Sequence, residues 1–381
     1  MAIRLYNQDS ELLAFSAVVT GCEEKKGQYI VTLDRTAFFP EGGGQGADHG
    51  VLGGVNVLDV HEAGGEVLHT TDAPLEIGAQ VEGCVDAQRR LDMMQQHSGE
   101  HIFSGLVCSL FGYDNVGFHI GSEAVTMDFN GPLTEDDVRR VERMANEIVW
   151  KNVPVETLLP NKAELEAMHY RSKKALEGEV RIVRIEGADI CACCGTHVKR
   201  TGTVGQIKVL GFMKYKNGVR VSILCGRRAL EEENVLLDQV KGVGNLLSCK
   251  QHEAFRSVER LHAERDQLRY ANEQLGMRIF DMMAAQEEDK DVRVVCCDAI
   301  PASAVRKAAS KLCDGARLGL VLVPREDGYS FALSSQTEDV RPFTKELCGA
   351  FGGKGGGPKD MTQGLLGAAA LEEIREKLNT L

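Results

Sequence analysis

The chain has 381 residues, of which 43% are hydrophobic and 26% are charged, and its formal net charge is −12. This composition is typical of a globular protein with material for two to four domains. No apolar run reaches the roughly 18 residues of a membrane span, and no basic segment followed by an apolar block opens the chain. We therefore expect no contact with a membrane and no signal peptide, and we expect the protein in the cytoplasm.

The first segment, residues 1–85, reads as β-rich. Short apolar runs at 29–33 and 55–60 are separated by glycine-rich turns. Many short strands of this kind predict a small β-barrel or a sandwich.

The second segment, residues 86–230, alternates helical and strand-like patterns. Apolar residues at helical spacing predict a helix over 89–111, ended by Gly112, and a second helix is predicted over 134–151. Strand-like runs occur at 124–129, 180–185, 205–210 and 218–224. This alternation predicts an α+β core.

The third segment, residues 231–289, is predicted to be a helical linker with a break near Gly242 and Gly244. Apolar side chains recur every seven positions, at Leu247, Ala254, Leu261, Leu268, Leu275 and Met282. The intervening positions are mixed, so the pattern fits a short coiled coil or a helix packed on one partner. The fourth segment, residues 290–381, reads as a small α/β domain that contains a glycine-rich loop. The overall fold class is therefore α+β.

Two residue pairs suggest a metal site. His97 and His101 lie four positions apart on the predicted helix, so both imidazoles share one face. Cys193 and His197 have the same spacing around a glycine-containing turn. Together they make a tetrahedral Zn²⁺ set, one ion per chain, although Cys191 or Cys194 could replace Cys193. A purely structural zinc also fits, because four protein ligands close a site.

This is not the usual zinc-protease motif, because Ser98 stands where those enzymes carry their general base. Glu100 precedes His101 and is expected to point away from the metal face. No carboxylate in these motifs has an evident position for a general base.

The segment 36–50 contains three consecutive glycines, which let the backbone approach a ligand closely. Thr36 and Gln45 can supply neutral hydrogen bonds. A glycine-rich β-turn explains the composition equally well. The segment is not a P-loop, because no Lys-Ser or Lys-Thr follows.

Basic residues are unevenly distributed along the chain. The net charge argues against a nucleic-acid partner, yet residues 199–228 contain eight Lys or Arg and no Asp or Glu. This run predicts a local phosphate-binding face or, alternatively, a solvated strand surface.

These motifs resemble the editing domain of alanyl-tRNA synthetases and its free-standing relatives. The resemblance rests on His97-x-x-x-His101, on Cys193-x-x-x-His197 and on the glycine-rich motif 38–45. The segment 352–361 is similar to the synthetases' C-terminal domain. The family often has Cys-Gly-Gly-Thr-His, whereas Cys194 stands here at the second position. No aminoacylation domain is expected, because Thr36 lies so near the start of the chain.

The resemblance implies a zinc-dependent hydrolase that deacylates tRNA(Ala) mischarged with serine or glycine. Thr36 would then read the serine hydroxyl, and Gln45 would orient the substrate or water. Candidate tRNA contacts are Lys199, Arg200, Lys214, Lys216, Arg220, Lys354 and Lys359. A homodimer is expected through the helical linker or the C-terminal domain. The rival interpretations are a tRNA-binding protein with structural zinc and a zinc hydrolase acting on small esters.

Overall fold

The computed structural model describes residues 2–172 and 180–381, and it divides the chain into two compact units, Met1–Gln239 and Val240–Leu381. Helices and several sheets occur together, so the predicted mixed α+β class is confirmed. The finer division into four segments stays a prediction. Within the described ranges, no helix is both long enough and apolar enough to cross a bilayer.

The first unit begins with a closed barrel. Its strands and the short elements beside it are β1 (Ile3–Arg4), α1 (Leu5–Gln8), β2 (Ala14–Lys25), β3 (Gln28–Leu33), β4 (Arg35–Thr36), β5 (Gly50–Leu52), β6 (Val55–Ala63), β7 (Glu66–Thr71) and β8 (Gln80–Val85). The barrel order is β2-β3-β7-β6-β5-β8, and β1 pairs with β4 outside it. Every second residue of β8 is buried, as expected when one strand face packs on a core.

The second part of the first unit surrounds one long helix, α2 (Ala87–Phe111). The remaining elements of this part are β9 (Asn115–Ile120), β10 (Val125–Phe129), α3 (Glu135–Lys151), β11 (Val155–Leu158), α4 (Lys162–Ala167), β12 (Ile182–Ile185), β13 (Asp189–Ala192), β14 (Ile207–Tyr215) and β15 (Gly218–Cys225). One sheet has the order β14-β15-β10-β9 and another has the order β11-β12-β13.

Helix α2 ends before Gly112 as predicted, and it begins at Ala87, two residues before the predicted start. The Asp86 side chain accepts a hydrogen bond from the backbone N–H of Arg89, and Gly112 closes the helix in the left-handed conformation, with φ 70°. From Met94 to Val107 nearly all of the helix is buried. The helix therefore fixes its histidines inside the protein. Gly99 permits this packing, since a Cβ there would lie 2.2 Å from Sγ of Cys225.

The helical segment after β15 consists of α5 (Gly226–Leu246) and α6 (Ala254–Ala285). The break lies further along the chain than predicted, because α5 continues through Gly242 and Gly244 and the chain turns at Ser248, with φ 52°. A glycine inside a helix costs only about 1 kcal/mol relative to alanine, which the rest of a long helix tolerates.

The second unit contains α6 and a five-stranded sheet. Its other elements are β16 (Val292–Cys296), α7 (Val305–Leu312), β17 (Leu318–Arg325), β18 (Gly328–Ser334), α8 (Val340–Phe351), β19 (Lys354–Gly356), β20 (Met361–Leu366) and α9 (Leu371–Asn379). The sheet order is β16-β17-β18-β20-β19, in which only β16 and β17 are parallel. Apart from α6, these helices and strands lie in the segment that was predicted to be a small α/β domain.

Candidate metal centre

The two predicted ligand pairs meet in the first unit. Helix α2 carries His97 and His101 one turn apart, and the turn after β13 carries Cys193 and His197. One ligand atom from each of the four side chains lies within 4.8 Å of the others. This arrangement could hold a metal ion.

The distances between donor atoms fit a single cation. Sγ of Cys193 lies 3.4 Å from Nε2 of His97 and 3.3 Å from Nε2 of His197. Around a tetrahedral zinc ion, sulfur and imidazole nitrogen would be about 3.5 Å apart. Cys194 is exposed and belongs to no such group among the described residues, whereas Cys191 forms a second group with His101 and Asp189.

Each imidazole is oriented by a partner at its other nitrogen. Nδ1 of His97 lies 2.8 Å from the Gln45 side-chain oxygen, and Nδ1 of His101 lies 2.8 Å from Oδ2 of Asp189. Nδ1 of His197 lies 3.2 Å from the Ser98 hydroxyl. All three rings therefore direct Nε2 toward the common centre, which is the arrangement that metal-binding histidines adopt.

Gln45 is a positioning residue in this structure. Besides its contact with His97, its side-chain oxygen accepts from the backbone N–H of Thr196 at 3.2 Å, and its amide donates to the Thr196 hydroxyl at 2.8 Å. The side chain is buried and does not line the cavity beside the centre. Gln45 thus joins the barrel loop both to the candidate ligand His97 and to Thr196 in the cysteine turn. Gly195 allows this approach, because a Cβ there would lie 2.2 Å from Cε1 of His97.

A buried ion pair holds the ends of the same loop. Arg90 on α2 pairs with Asp48 and donates to the backbone oxygen of Ala37 at 2.6 Å. Both charged side chains are inaccessible to solvent. Because Ala37 and Asp48 flank the glycine-rich motif, this pair fixes the loop on the helix that carries His97 and His101.

Asp189 is itself held by a guanidinium. Arg171 donates from Nε to Oδ1 at 2.8 Å and from its terminal nitrogen to Oδ2 at 2.7 Å. Burial alone would raise the pKa of Asp189, but His101 and Arg171 lower it below the ordinary value. The carboxylate therefore stays ionised and keeps the His101 ring oriented.

The electrostatics favour a thiolate at the centre. Burial would raise the pKa of Cys193, but the three surrounding histidines lower it well below the ordinary value of a thiol. Burial lowers the pKa of His197 to about 3, so this ring is neutral at neutral pH. Burial would also lower the pKa of His101, yet Cys193 and Asp189 raise it well above its usual range. A thiolate and neutral imidazoles are the donor forms that zinc requires, and metal binding at such a set releases protons.

The expectation that Glu100 points away from the metal face is wrong. Its Oε2 lies 3.9 Å from Nε2 of His101, and its Oε1 accepts from Ser104 at 2.7 Å and from Asn115 at 2.6 Å. Glu100 is fully buried. The helical spacing placed it off the histidine face, but Ser104 and Asn115 draw its long side chain back beside His101.

A cavity of about 540 Å³ opens beside the four donors. His97, His101 and Cys193 line one side, and Val116 and Phe118 of β9 line another. The rings of Phe118 and His97 lie 5.1 Å apart, centroid to centroid. The cavity is therefore mostly apolar and has the ligand side chains on its wall, which is the usual character of a small-molecule site. We call it the metal-side cavity.

Thr36 lies in β4, beside the barrel, and does not line the metal-side cavity. Its hydroxyl accepts from the backbone N–H of Phe38 at 3.1 Å and lies 2.9 Å from Nε2 of His69. Burial lowers the pKa of His69 to about 4, and Nδ1 lies 3.0 Å from the Val31 backbone oxygen. The neutral ring therefore donates from Nδ1, and the Thr36 hydroxyl donates to Nε2.

The basic run at 199–228 is largely neutralised by acidic residues from other segments. The ion pairs join Lys199 to Asp9 and Glu11, Lys208 to Glu142, Arg220 to Asp128, and Arg227 to Asp92 and Glu231. Arg200 donates to the backbone oxygen of Asn152. Lys214 and Lys216, at the tip of the β14–β15 hairpin, have no carboxylate partner within the described part of the chain. Lys354 and Lys359 are exposed in the second unit.

Four further residues of the site have no recognisable sequence motif, namely Ser98, Asp189, Arg171 and Arg90. Arg171 and Asp189 lie 60 and 78 positions beyond the end of α2 at Phe111, and only the folded chain brings them to the helix. The one local signal was Ser98, which directly follows a ligand on α2.

The fold and the centre define an α+β protein in which a barrel loop supports a three-histidine, one-cysteine site that could hold a metal ion. Comparison with known proteins agrees with this class. Residues 180–222 match the family model described as "Threonyl and Alanyl tRNA synthetase second additional domain", and residues 7–89 match "tRNA synthetases class II (A)". The cysteine turn and the glycine-rich loop lie in these two matched segments.

One relative that the chain matches over its full length identifies the family. The chain is 30% identical to alanyl-tRNA editing protein AlaX-L of Pyrococcus horikoshii, over 99% of this chain and 100% of that protein. It is 34% identical to alanyl-tRNA editing protein Aarsd1-B of Xenopus laevis, over 61% of this chain and 58% of that protein. It is also 28% identical to the alanine–tRNA ligase of Ignicoccus hospitalis, of which it spans 40%. The chain belongs to the AlaX-L family of alanyl-tRNA editing proteins.

Proposed function

We propose that this protein hydrolyses the ester bond of tRNA(Ala) mischarged with serine, and also with glycine. The observation that carries the proposal is the donor set itself, which lies on the wall of an apolar cavity in a member of the AlaX-L family. The place of action that we propose is the cytoplasm.

The proposed metal is Zn²⁺, held by His97, His101, Cys193 and His197. Three imidazole nitrogens and one thiolate suit zinc, and the spacing of the donor atoms supports one ion per chain. When bound, zinc supplies a Lewis acid that lowers the pKa of water or anchors the substrate.

The residues behind the ligands have positioning roles in this proposal. Gln45, Asp189 and Ser98 hold the imidazole rings, so the donors are in place before substrate arrives. Phe118 gives the cavity an apolar wall suited to the terminal adenosine. Preorganised donors cost little reorganisation during reaction.

Serine recognition is the discriminating step. Serine differs from alanine by one hydroxyl, and a pocket that merely tolerates the hydroxyl discriminates poorly. We propose that Thr36 is the residue that recognises the serine hydroxyl. Because the Thr36 hydroxyl already donates to His69 and accepts from Phe38, this role needs the loop after β4 to open toward the substrate.

The proposed tRNA contacts are the basic residues named from the sequence. Lys214 and Lys216 have the strongest support, since they lie at an exposed hairpin tip without a carboxylate partner among the described residues. Lys199, Arg200 and Arg220 have protein partners that tRNA phosphates would have to share. Lys354 and Lys359 would contact phosphates from the second unit.

We also propose a homodimer formed through α6. Leu261, Leu268 and Leu275 recur every seven residues and are 52%, 65% and 56% exposed. Such a stripe is covered when two helices pair. Association through residues 290–381 is the alternative arrangement.

One assay tests the proposed activity. The purified protein is incubated with serine-charged and with alanine-charged tRNA(Ala), and loss of each ester is followed. We expect rapid loss of serine and slow loss of alanine. Binding of both tRNAs without any ester loss would favour a tRNA-binding protein with structural zinc. Activity on free esters without dependence on tRNA would favour a general zinc hydrolase.

A further inference from the structure

A second cavity adjoins the metal-side cavity in the first unit. Its volume is about 760 Å³, and three residues, Gly43, Arg181 and Cys194, line both cavities. Its other walls include residues of the N-terminal segment and of the loop 39–43, together with Thr157 and Leu159. A ligand longer than one nucleoside could therefore occupy both cavities across their shared wall.

Arg181 is the charged group at this junction. Only 9% of the residue is exposed, and it has no carboxylate within ion-pair distance in residues 2–172 and 180–381. Its terminal nitrogens donate to the backbone oxygens of Cys193 at 2.9 Å and Gly195 at 2.8 Å, and to Thr157 at 3.3 Å. Its Nε has no partner within the same ranges.

Among the described residues this buried guanidinium has no carboxylate partner, and burial removes its hydrating water, which costs free energy. An anionic oxygen at the junction would offset that loss, and guanidinium groups bind phosphate well because their planar donors match its geometry.

The second cavity carries groups suited to a nucleobase. Asn7 and Gln8 supply amide donors and acceptors, and Pro40 and Leu159 supply apolar surface. Proteins that read single-stranded nucleic-acid ends combine apolar surfaces with hydrogen bonds to base edges. The volume is ample for one nucleotide.

We propose that the second cavity binds the penultimate nucleotide of the tRNA acceptor end, and that Arg181 contacts the phosphate linking it to the terminal adenosine. The inference rests on the proposed function, which puts that adenosine in the metal-side cavity. It adds a nucleotide subsite and a phosphate contact. Arg181 also holds the Cys193–Gly195 turn, so a second position is needed to test the subsite alone.

The test compares two non-hydrolysable probes on the metal-loaded full chain. One is 3′-serylamido-3′-deoxyadenosine, and the other is the same compound extended at its 5′ side by cytidylate. We expect the extended probe to bind at least about tenfold more tightly to the wild type. Equal affinities for the two probes would overturn the subsite, while binding of the shorter probe would leave the proposed function standing. Failure of both probes to bind would overturn the proposed function and the subsite together.

Two variants test whether the second cavity causes the tighter binding of the extended probe. Leu159→Glu places a negative charge at a 63% exposed position of the second cavity, and Ile77→Glu is the matched control at a 61% exposed barrel position outside it. We expect Leu159→Glu to reduce the tenfold advantage to near unity without changing binding of the shorter probe, and Ile77→Glu to preserve it. Arg181→Gln should also remove the advantage of the extended probe, and it should weaken the shorter probe as well, because Arg181 holds the Cys193–Gly195 turn. An advantage that survives in Leu159→Glu would overturn the placement.

Discussion

The side-chain oxygen of Gln45 lies 2.8 Å from Nδ1 of His97, although the two residues are 52 positions apart. This contact joins the glycine-rich barrel loop to the helix that carries two of the four donors. The same amide group bonds to Thr196 in the cysteine turn. The glycine-rich loop is therefore connected to the candidate metal centre through His97.

Replacing Gln45 should weaken metal binding. Gln45→Ala removes the acceptor that orients His97, and loss of such a partner typically costs 10–100-fold in metal affinity. Competition with a chromophoric chelator measures the change. Gln80→Ala, at an exposed barrel position that contacts Ser16, is the control and should leave the affinity unchanged. An unchanged affinity in Gln45→Ala would show that the contact is dispensable.

Neighbouring cysteines should differ sharply in their effect. Cys193→Ser replaces the sulfur donor that lies beside His97 and His197, so zinc content and serine deacylation should both be lost. Cys194→Ser changes an exposed thiol outside the donor group and should retain both. Metal analysis of the two purified variants shows which of them retains zinc. Retained zinc in Cys193→Ser would assign the sulfur ligand elsewhere, with Cys191 as the next candidate.

Removing the Thr36 hydroxyl should slow the removal of serine from tRNA(Ala) and should leave the metal content unchanged. Thr36→Val leaves His69 and the Phe38 N–H without a buried partner, which costs about 1–3 kcal/mol for each group. Thr36→Ser keeps the hydroxyl and serves as the control. Deacylation of serine-charged tRNA(Ala) and thermal unfolding are measured in parallel. If Thr36→Val is destabilised yet removes serine at the wild-type rate, Thr36 is a structural residue of the barrel.

The α6 stripe should control self-association. Leu268→Glu places like charges opposite each other in a paired helix and should convert a dimer to a monomer. Gln267→Glu adds the same charge one position away from the stripe and should leave the dimer intact. Light scattering gives the mass of each variant. A wild-type chain with the mass of one protomer would contradict pairing through α6.

The meeting of the four candidate donors could be predicted because the geometry of each pair is local. Histidines four positions apart share a helix face wherever that helix lies, and a short turn brings a cysteine near a histidine. Most of helix α2 was predictable in the same way, and Gly112 marked its end, whereas its start at Ala87, capped by Asp86, was placed two residues late.

The residues that orient the histidine rings and fix the loop could not be predicted from the same patterns. Asp189 reaches His101 across 88 positions, and Arg90 reaches Asp48 across 42, so both contacts depend on how the barrel and sheets pack on α2. The direction of Glu100 was mispredicted because helical spacing fixes only where a side chain begins. The partners at Ser104 and Asn115 decide where its carboxylate ends.

The most direct test is zinc-edge X-ray absorption on the purified full-length chain, combined with elemental analysis. The account predicts one zinc ion per chain with three nitrogen neighbours at about 2.0–2.1 Å and one sulfur neighbour at about 2.3 Å. A protein without stoichiometric zinc, or a zinc ion with two or more sulfur neighbours, would contradict it.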